Sequence, residues 1–478
     1  MIDVTAASIE SLQKDMQQNR LTSYELVAAF AERVAAHDKL GAGVNAVAEW
    51  NPDAFSIAAA LDGERQRTGA RGPLHGIPIL IKDNVDTADH MHTSAGSLAL
   101  AESYALEDAE VARRLRAAGA VLLGKTKMTE WANFMAEGMP SGYSSRGGQV
   151  NNPYGPGAFD VGGSSSGSGA AIAAGFAVAA IGTETSGSIL SPSSENMLVG
   201  IKPTVGLVSR YGIIPIAYSQ DTAGPMAKTV ADAALLLQAI VGYDPRDPAT
   251  GAAGATPDYR MCLLERGLEG VRLGVPRAGY YEHLSAEQAA VMERAIEDVR
   301  RLGAVVIDPI ELSAKRENGY EVLLYEFKSA LNSYLRKVDP RLPVHSLKEL
   351  IAFNDADKER MLRYGQAILL ASEETSGSLT DPDYLKARLR DLRYAREEGI
   401  DHVLREHALD ALLFPANYGA AIAAKAGYPS ITVPGGKLEN GCPFGVTFTS
   451  TAFTEAKLIR MAYAYEQGTM HRVAPDLT

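Results

Sequence analysis

Two segments of this sequence concentrate side chains suited to covalent chemistry. Residues 160–193, DVGGSSSGSGAAIAAGFAVAAIGTETSGSILSPS, are dense in serine, glycine and alanine and nearly free of charge. The phrase GPLHGIPILIKDN ends an apolar burst, Ile77 to Ile81, abruptly in Lys82, Asp83 and Asn84. A serine hydroxyl is a weak nucleophile and attacks a carbonyl only beside a base; a lysine amine is such a base only when uncharged. Small hydroxyls framed by glycine occur in flexible linkers, in phosphate cradles and in the nucleophile loops of hydrolases.

The linker reading fails because AAIAAGFAVAAIG follows at once, and Ile172, Phe176, Val178 and Ile181 do not belong in water. A phosphate cradle needs a lysine after its glycines, or a Gly-x-Gly-x-x-Gly turn after a buried strand. Residues 162–169 have no such lysine, and the preceding NNPYGPGAFDV is turn-rich. Gly163–Gly167 does satisfy the Gly-x-Ser-x-Gly elbow with Ser165 at its centre, and His402, His407 or His471 could serve as base. That elbow also needs a strand before it, which is missing.

The remaining reading joins two ends of one excursion. Residues 167–177 read as a short alanine-rich helix and 178–183 as a strand. The helix spans roughly 16 Å and the strand about 20 Å, so the chain leaves and returns. Serines 164–166 at the helix start and the turn TETSGS, 183–188, then meet. Backbone N–H groups of such a turn converge on an anion, and Lys82, at its own strand end, is the candidate base. A carboxylate beside Lys82 would hold it protonated, so none is expected close by. On a strand, Asp83 faces away from Lys82 and is expected to be structural.

The surrounding pattern alternates helices and strands. TSYELVAAFAERVAAHDK carries a capping box, Thr22 with Glu25, and SAEQAAVMERAIEDVRRLGAVVI carries another, Ser285 with Gln288. Strands are expected at AVLLGKT (120–126), VRLGVP (271–276), DALLFP (410–415), SITVP (430–434) and FGVTFTST (444–451). The fold class is therefore α/β, with helices on a largely buried sheet. Residues 311–408 are charged and helix-like, either one wall of a substrate cleft or a solvated layer without a binding role.

With 478 residues, 46% apolar and 22% charged, the chain has ordinary globular composition and enough apolar residues for a large core. A net charge of −12 argues against nucleic acid or an anionic membrane as partner. Cys262 and Cys442, far apart in sequence, form neither a disulfide framework nor a CxxC pair. HMH at 90–92 has no third-ligand motif, so no metal is expected and the histidines read as surface residues. Met135 and Met139, near Trp131 and Phe134, either line a pocket or fill core. The opening residues have no basic region before an apolar stretch, and the most apolar run is broken by Gly175. A cytoplasmic chain without leader or membrane span is expected.

Together, GPLHGIPILIKDN, GGSSSGSG, GTETSGSI and VGIKPTVGLVS resemble the amidase signature family, whose members hydrolyse amide bonds with a Ser–cis-Ser–Lys triad. The likeness runs from about residue 5 to about residue 470 and includes GAVLLGKTKMTEWANF, SQDTAGPMAKTVADAALLL and AGYPSITVPGG. TSAGSLAL, EWANF, SRGGQ and GIIPI resemble the bacterial peptide amidase branch. The resemblance implies one domain over 1–478, a large mixed sheet between helical layers, with 311–408 as a variable elaboration. It places the triad lysine on Lys82, the bridging serine, preceded by a cis peptide, on Ser164, and the nucleophile on Ser188. The oxyanion hole falls on the backbone N–H groups of Thr185, Ser186, Gly187 and Ser188, and Ser165 receives no nucleophilic role.

The implied reaction is hydrolysis of peptide, aryl or related small amides through an acyl-enzyme, with no cofactor, by a monomer or homodimer. Two other readings are an amidase subunit of a transamidation complex and a catalytically silent binding protein on the same scaffold. The sequence departs from many family members in carrying Leu190 two residues after Ser188, where arginine is common, and Ser186 where glycine or aspartate is common. Set against the family, FPANYGAAIAAK, near the expected substrate entrance, is shorter than in typical peptide amidases, which leaves open both specificity for peptide C-terminal amides and a more open cleft for bulkier or aryl amides and esters.

Overall fold

A computed structural model of the chain describes residues 4–312 and 319–477, so part of the expected elaboration, 313–318, lies outside the described residues. The strands are β1 (Val47–Trp50), β2 (Pro78–Lys82), β3 (Val121–Thr126), β4 (Tyr143–Ser144), β5 (Gly148–Gln149), β6 (Ala179–Glu184) and β7 (Val199–Lys202). They continue as β8 (Thr222–Ala227), β9 (Arg272–Gly274), β10 (Val305–Ile307), β11 (Ala411–Pro415), β12 (Ser430–Lys437) and β13 (Pro443–Thr449). Eleven of these make one sheet in the order β1-β3-β2-β6-β8-β7-β12-β13-β11-β9-β10, and β4 and β5 pair separately. The sheet is mixed. β3, β2 and β6 run parallel, as do β11, β9 and β10, while the centre from β6 to β11 is antiparallel.

The parallel trio positions the site. Every residue of β2, β3 and β6 is buried, which is why these segments read as continuous apolar runs rather than alternating ones. Because β2 and β6 are parallel neighbours, Lys82 at the end of one and Thr183–Glu184 at the end of the other emerge at the same edge. Carboxyl ends of parallel strands are where α/β sheets gather their chemistry.

Between β3 and β6 the chain forms a wholly buried helix, Ser166–Ala173. It is shorter than the expected 167–177, because Gly175 adopts φ 74° and reverses the chain into β6. Its start is jammed against neighbouring backbone: a Cβ on Gly167 would lie 2.5 Å from the carbonyl oxygens of Ala46 and Lys127. β8 was not expected, since TAGPMA carries a Gly-Pro pair that reads as a turn; β1 and β7 are too short for a periodic signal. Both capping boxes are present, at Thr22 and Ser285.

Beyond β10 the described chain is helical from Glu321–Leu335 through Asp401–Glu406. Phe327, Leu331, Leu347 and Leu369 pack with Trp131, Phe134, Met135 and Met139 into a second core cluster, so these methionines fill core. Of the two histidines expected at the surface, His90 is exposed and pairs with Asp53, whereas His92 is largely buried against Glu49. Among the described residues no helix is long and apolar enough to cross a membrane, and no three His, Cys, Asp or Glu cluster as metal ligands.

Gly167→Ala forces a methyl group into backbone that has no side chain to yield. It is expected to destabilise the fold by about 1–3 kcal/mol, read as a lowered Tm or denaturant midpoint against the wild type.

Candidate active site

Lys82 is fully buried, and its amine reaches three hydroxyls: Ser164 Oγ at 2.8 Å, Ser165 Oγ at 2.9 Å and Thr183 Oγ1 at 2.9 Å, with the Thr183 carbonyl at 3.2 Å. The peptide bond between Gly163 and Ser164 is cis. Burial holds the Lys82 amine down at about 7, far below its ordinary 10.5, while the carboxylates of Glu184 and Asp221 pull it the other way. Desolvation wins. This corrects the expectation of a site without nearby carboxylates: two are present, and dehydration outweighs them.

The neighbouring serines differ in what their hydroxyls are free to do. Ser165 Oγ donates to the Thr183 carbonyl at 3.0 Å and accepts both the Thr183 N–H at 3.2 Å and Lys82. One donor and two acceptor sites are then all occupied, so Ser165 fastens the helix start to β6 and has no capacity left to relay a proton. His402, His407 and His471 sit beside Glu406, Glu406 and Asp298 respectively and none contacts Ser165. The elbow reading is overturned on both counts. The Ser164 hydroxyl has one partner among the described residues, Lys82, whose lone pair it can address while Ser165 and Thr183 take the N–H groups. Ser166 and Ser168 are structural, bonding the Gly162 and Ile181 carbonyls.

Ser188 is joined to this cluster through the main chain, its carbonyl accepting the Ser165 N–H at 3.2 Å. Its hydroxyl has no hydrogen-bond partner among the described residues, so the structure brings Lys82 and Ser164 into contact and leaves the Ser188–Ser164 link open. Such links often close only around substrate. The N–H groups of Thr185, Ser186, Gly187 and Ser188 likewise donate to no described residue. Thr185 and Ser188 are nearly buried, while Ser186 is exposed.

The turn is held from both sides by carboxylates that the sequence did not single out. Glu184 accepts the N–H groups of Ile189 at 2.7 Å and Leu190 at 3.0 Å, just past the turn. Asp221 accepts the Thr185 hydroxyl at 2.5 Å and the N–H groups of Ile216 and Ala217. Asn84 donates to Thr183 Oγ1 at 3.0 Å. Asp83 faces away, as expected, bonding Ser94 and the Gly96 N–H, with Arg146 3.6 Å away.

A cavity of about 540 Å³ opens from this edge of the sheet. Its inner end is formed by Asn84, Thr183–Thr185 and Asp221, its flanks by Ile213–Ala217, and its far wall by Ala330, Tyr334 and Val338 of the helical layer. Lys82 and Ser164 meet this inner end through Thr183, and Lys82, Ser164 and Ser188 are not among its lining residues.

Comparison with known proteins is consistent in family across the whole chain. Residues 25–425 match the Amidase family model. The chain is 46% identical to the native peptide amidase of Stenotrophomonas maltophilia, covering 99% of each, and superposes on its crystal structure with a TM-score of 0.92. It is 40% identical to a probable amidase of Arabidopsis thaliana, covering 99% of this chain and 92% of that one. It is also 34% identical to a glutamyl-tRNA(Gln) amidotransferase chain of Moorella thermoacetica, over 97% and 96% of the two chains.

The buried amine makes a stability prediction independent of any activity. A lysine at about 7 when folded and 10.5 when unfolded lets the unfolded chain bind the extra proton between those values, so folding weakens as pH falls through that window and the loss is complete below about 7. From about pH 9.5 to about pH 7 the wild type is expected to lose roughly 3 kcal/mol relative to Lys82→Met. Denaturant unfolding of the pair across that range checks it; parallel curves would contradict it.

Proposed function

The chain belongs to the amidase signature family and is a hydrolase of carbon–nitrogen amide bonds, and from that premise we propose that it works through an acyl-enzyme on Ser188. The observation that carries the reading is the dehydrated Lys82 amine 2.8 Å from Ser164, beside a second serine whose bonding capacity is already filled. Neutral Lys82 draws a proton from Ser164, which takes one from Ser188 as Ser188 Oγ attacks the substrate carbonyl. The tetrahedral oxygen is received by the backbone N–H groups of residues 185–188, each well-aimed donor contributing about 3–4 kcal/mol. Ser164 returns a proton to the departing ammonia or amine, and water releases the carboxylic acid by the same relay in reverse. The protons pass through one amine and two hydroxyls, to the leaving nitrogen in acylation and from water in deacylation, so no step calls for a cofactor.

Substrates of this reading are small amides, including peptide and aryl amides, with the acyl portion in the cavity and the helix Glu321–Leu335 as one wall of the cleft. A second reading rests on the 34% identity to an amidotransferase chain: the protein would act with a stable partner on an acylated acceptor. The purified chain separates the two, since a free-standing hydrolase releases ammonia from simple amides unaided.

Ser188→Ala is expected to lower kcat by about 10⁴-fold or more, whereas Ser165→Ala, altering a tether, retains most activity if folded. Full activity in Ser188→Ala would sink the assignment. The pH dependence follows from the base: kcat/KM should rise with pH through about 7 as Lys82 loses its proton, then level off. Glu184→Gln removes a carboxylate that stabilises the lysine cation, so its profile should rise at lower pH than the wild type's; an unmoved profile would remove Glu184 from this role.

A further inference from the structure

The far part of the cavity carries a carboxylate that the reaction does not use. Asp86 is 9% exposed and lines the cavity together with Asn84, two residues back towards Lys82. Its Oδ1 accepts the hydroxyl of Tyr334 at 2.7 Å, from the opposite, helical wall. Its backbone is fixed at both ends, its N–H donating to the Gly212 carbonyl at 2.8 Å and its carbonyl accepting the Ala109 N–H at 3.0 Å.

The two arginines around it are committed elsewhere. Arg210 is held bidentate by Asp247, and Arg246 is taken by Asp244 and Glu110. Lys337 is exposed, 5.6 Å from the Tyr211 ring. Lys125, buried on the sheet side, gives its hydrogen bonds to the Val85 carbonyl at 2.6 Å and the Thr93 hydroxyl at 3.0 Å and forms no ion pair with Asp86 among the described residues. Burial pushes the Asp86 carboxyl up to about 7, against the Tyr334 hydroxyl, Lys125 and Thr93, with Glu107 adding to the rise. A carboxylate in that condition gains more than a solvated one from a cation placed against it.

We propose that Asp86, with the Tyr334 hydroxyl, is a recognition site for an ammonium group on the acyl portion of the substrate, so that amides bearing a free amine are preferred over their neutral counterparts. The inference rests on the amide-hydrolase reading of the site and specifies its substrate class. Spacing limits the position of the amine. The chain from Lys82 to Asp86 begins with a turn closed by the Val85 N–H on the Lys82 carbonyl at 3.0 Å. The Cα atoms of Lys82 and Asp86 are then at most about 11 Å apart. With Lys82 and Asp86 this close along the chain, the proposed site takes an ammonium one or two residues from the scissile carbonyl. The apolar flanks Ile213–Ala217 and the Tyr334 ring suit the side chain between them.

The test compares β-alanyl-phenylalaninamide with propanoyl-phenylalaninamide, which differ only by the terminal ammonium. In the wild type at neutral pH the charged amide should have the larger kcat/KM by roughly tenfold or more, and in Asp86→Asn that ratio should fall to about one. Glu107→Gln removes an exposed carboxylate at the mouth whose charge only raises Asp86, so it should keep the preference for the charged amide. Equal hydrolysis of both amides by the wild type overturns the ammonium site while leaving amide hydrolysis standing, and needs no variant to fold. A ratio that survives Asp86→Asn, or collapses in Glu107→Gln instead, overturns it too. Failure of the wild type to hydrolyse either amide, or simple amides generally, overturns the hydrolase reading and this inference with it.

Discussion

One dehydrated amine governs the layout of this molecule. Lys82 lies at a buried strand end where water cannot stabilise its charged form, and that penalty exceeds the pull of two carboxylates close enough to oppose it. The hydroxyl-rich surroundings are a consequence. Hydroxyls satisfy an amine's hydrogen bonds without supplying the negative charge that would keep it protonated, so serine and threonine replace carboxylates in direct contact with it. The carboxylates that remain bond elsewhere than the lysine, Glu184 through one oxygen to two backbone N–H groups and Asp221 through both to N–H groups and the Thr185 hydroxyl, which fixes the turn at 185–188.

The fold serves that requirement through parallel pairing. β2 and β6 end side by side, and the intervening helix is drawn down by Ser165, whose hydroxyl holds β6 and the amine at once. Close approach at Gly167 sets how near that helix start comes to β3. Another buried lysine, Lys202 on β7, is also pushed down by burial, to about 8, and again opposed by Glu184. Glu184 is thus the carboxylate that opposes the effect of dehydration on both lysines.

Much of this was legible in the sequence because it is local. The apolar burst before Lys82, the alanine-rich return from Ser166 to Glu184 and both capping boxes follow from periodicity and short-range chemistry. What escaped notice depends on distant segments. The structural role of Ser165 follows from Thr183 on another strand, and no spacing rule distinguishes it from Ser164. Asp221 and Asp86 look like ordinary turn residues until tertiary packing buries them. The strand TAGPMA hides its conformation behind a Gly-Pro pair, whereas the helix end has a local mark in Gly175, which interrupts the alanine run. For Ser165, the two aspartates and TAGPMA, local propensity was overridden by a neighbour remote in sequence.

The protonation state of Lys82 is the claim on which the account stands, and lysine titration by NMR measures it without reference to any substrate. In protein labelled at the lysine side-chain ε-carbon, the resonance missing from Lys82→Met should titrate at about 7. A midpoint near the ordinary 10.5 would mean that the amine is charged at neutral pH, and the proton relay through Ser164 would have no base.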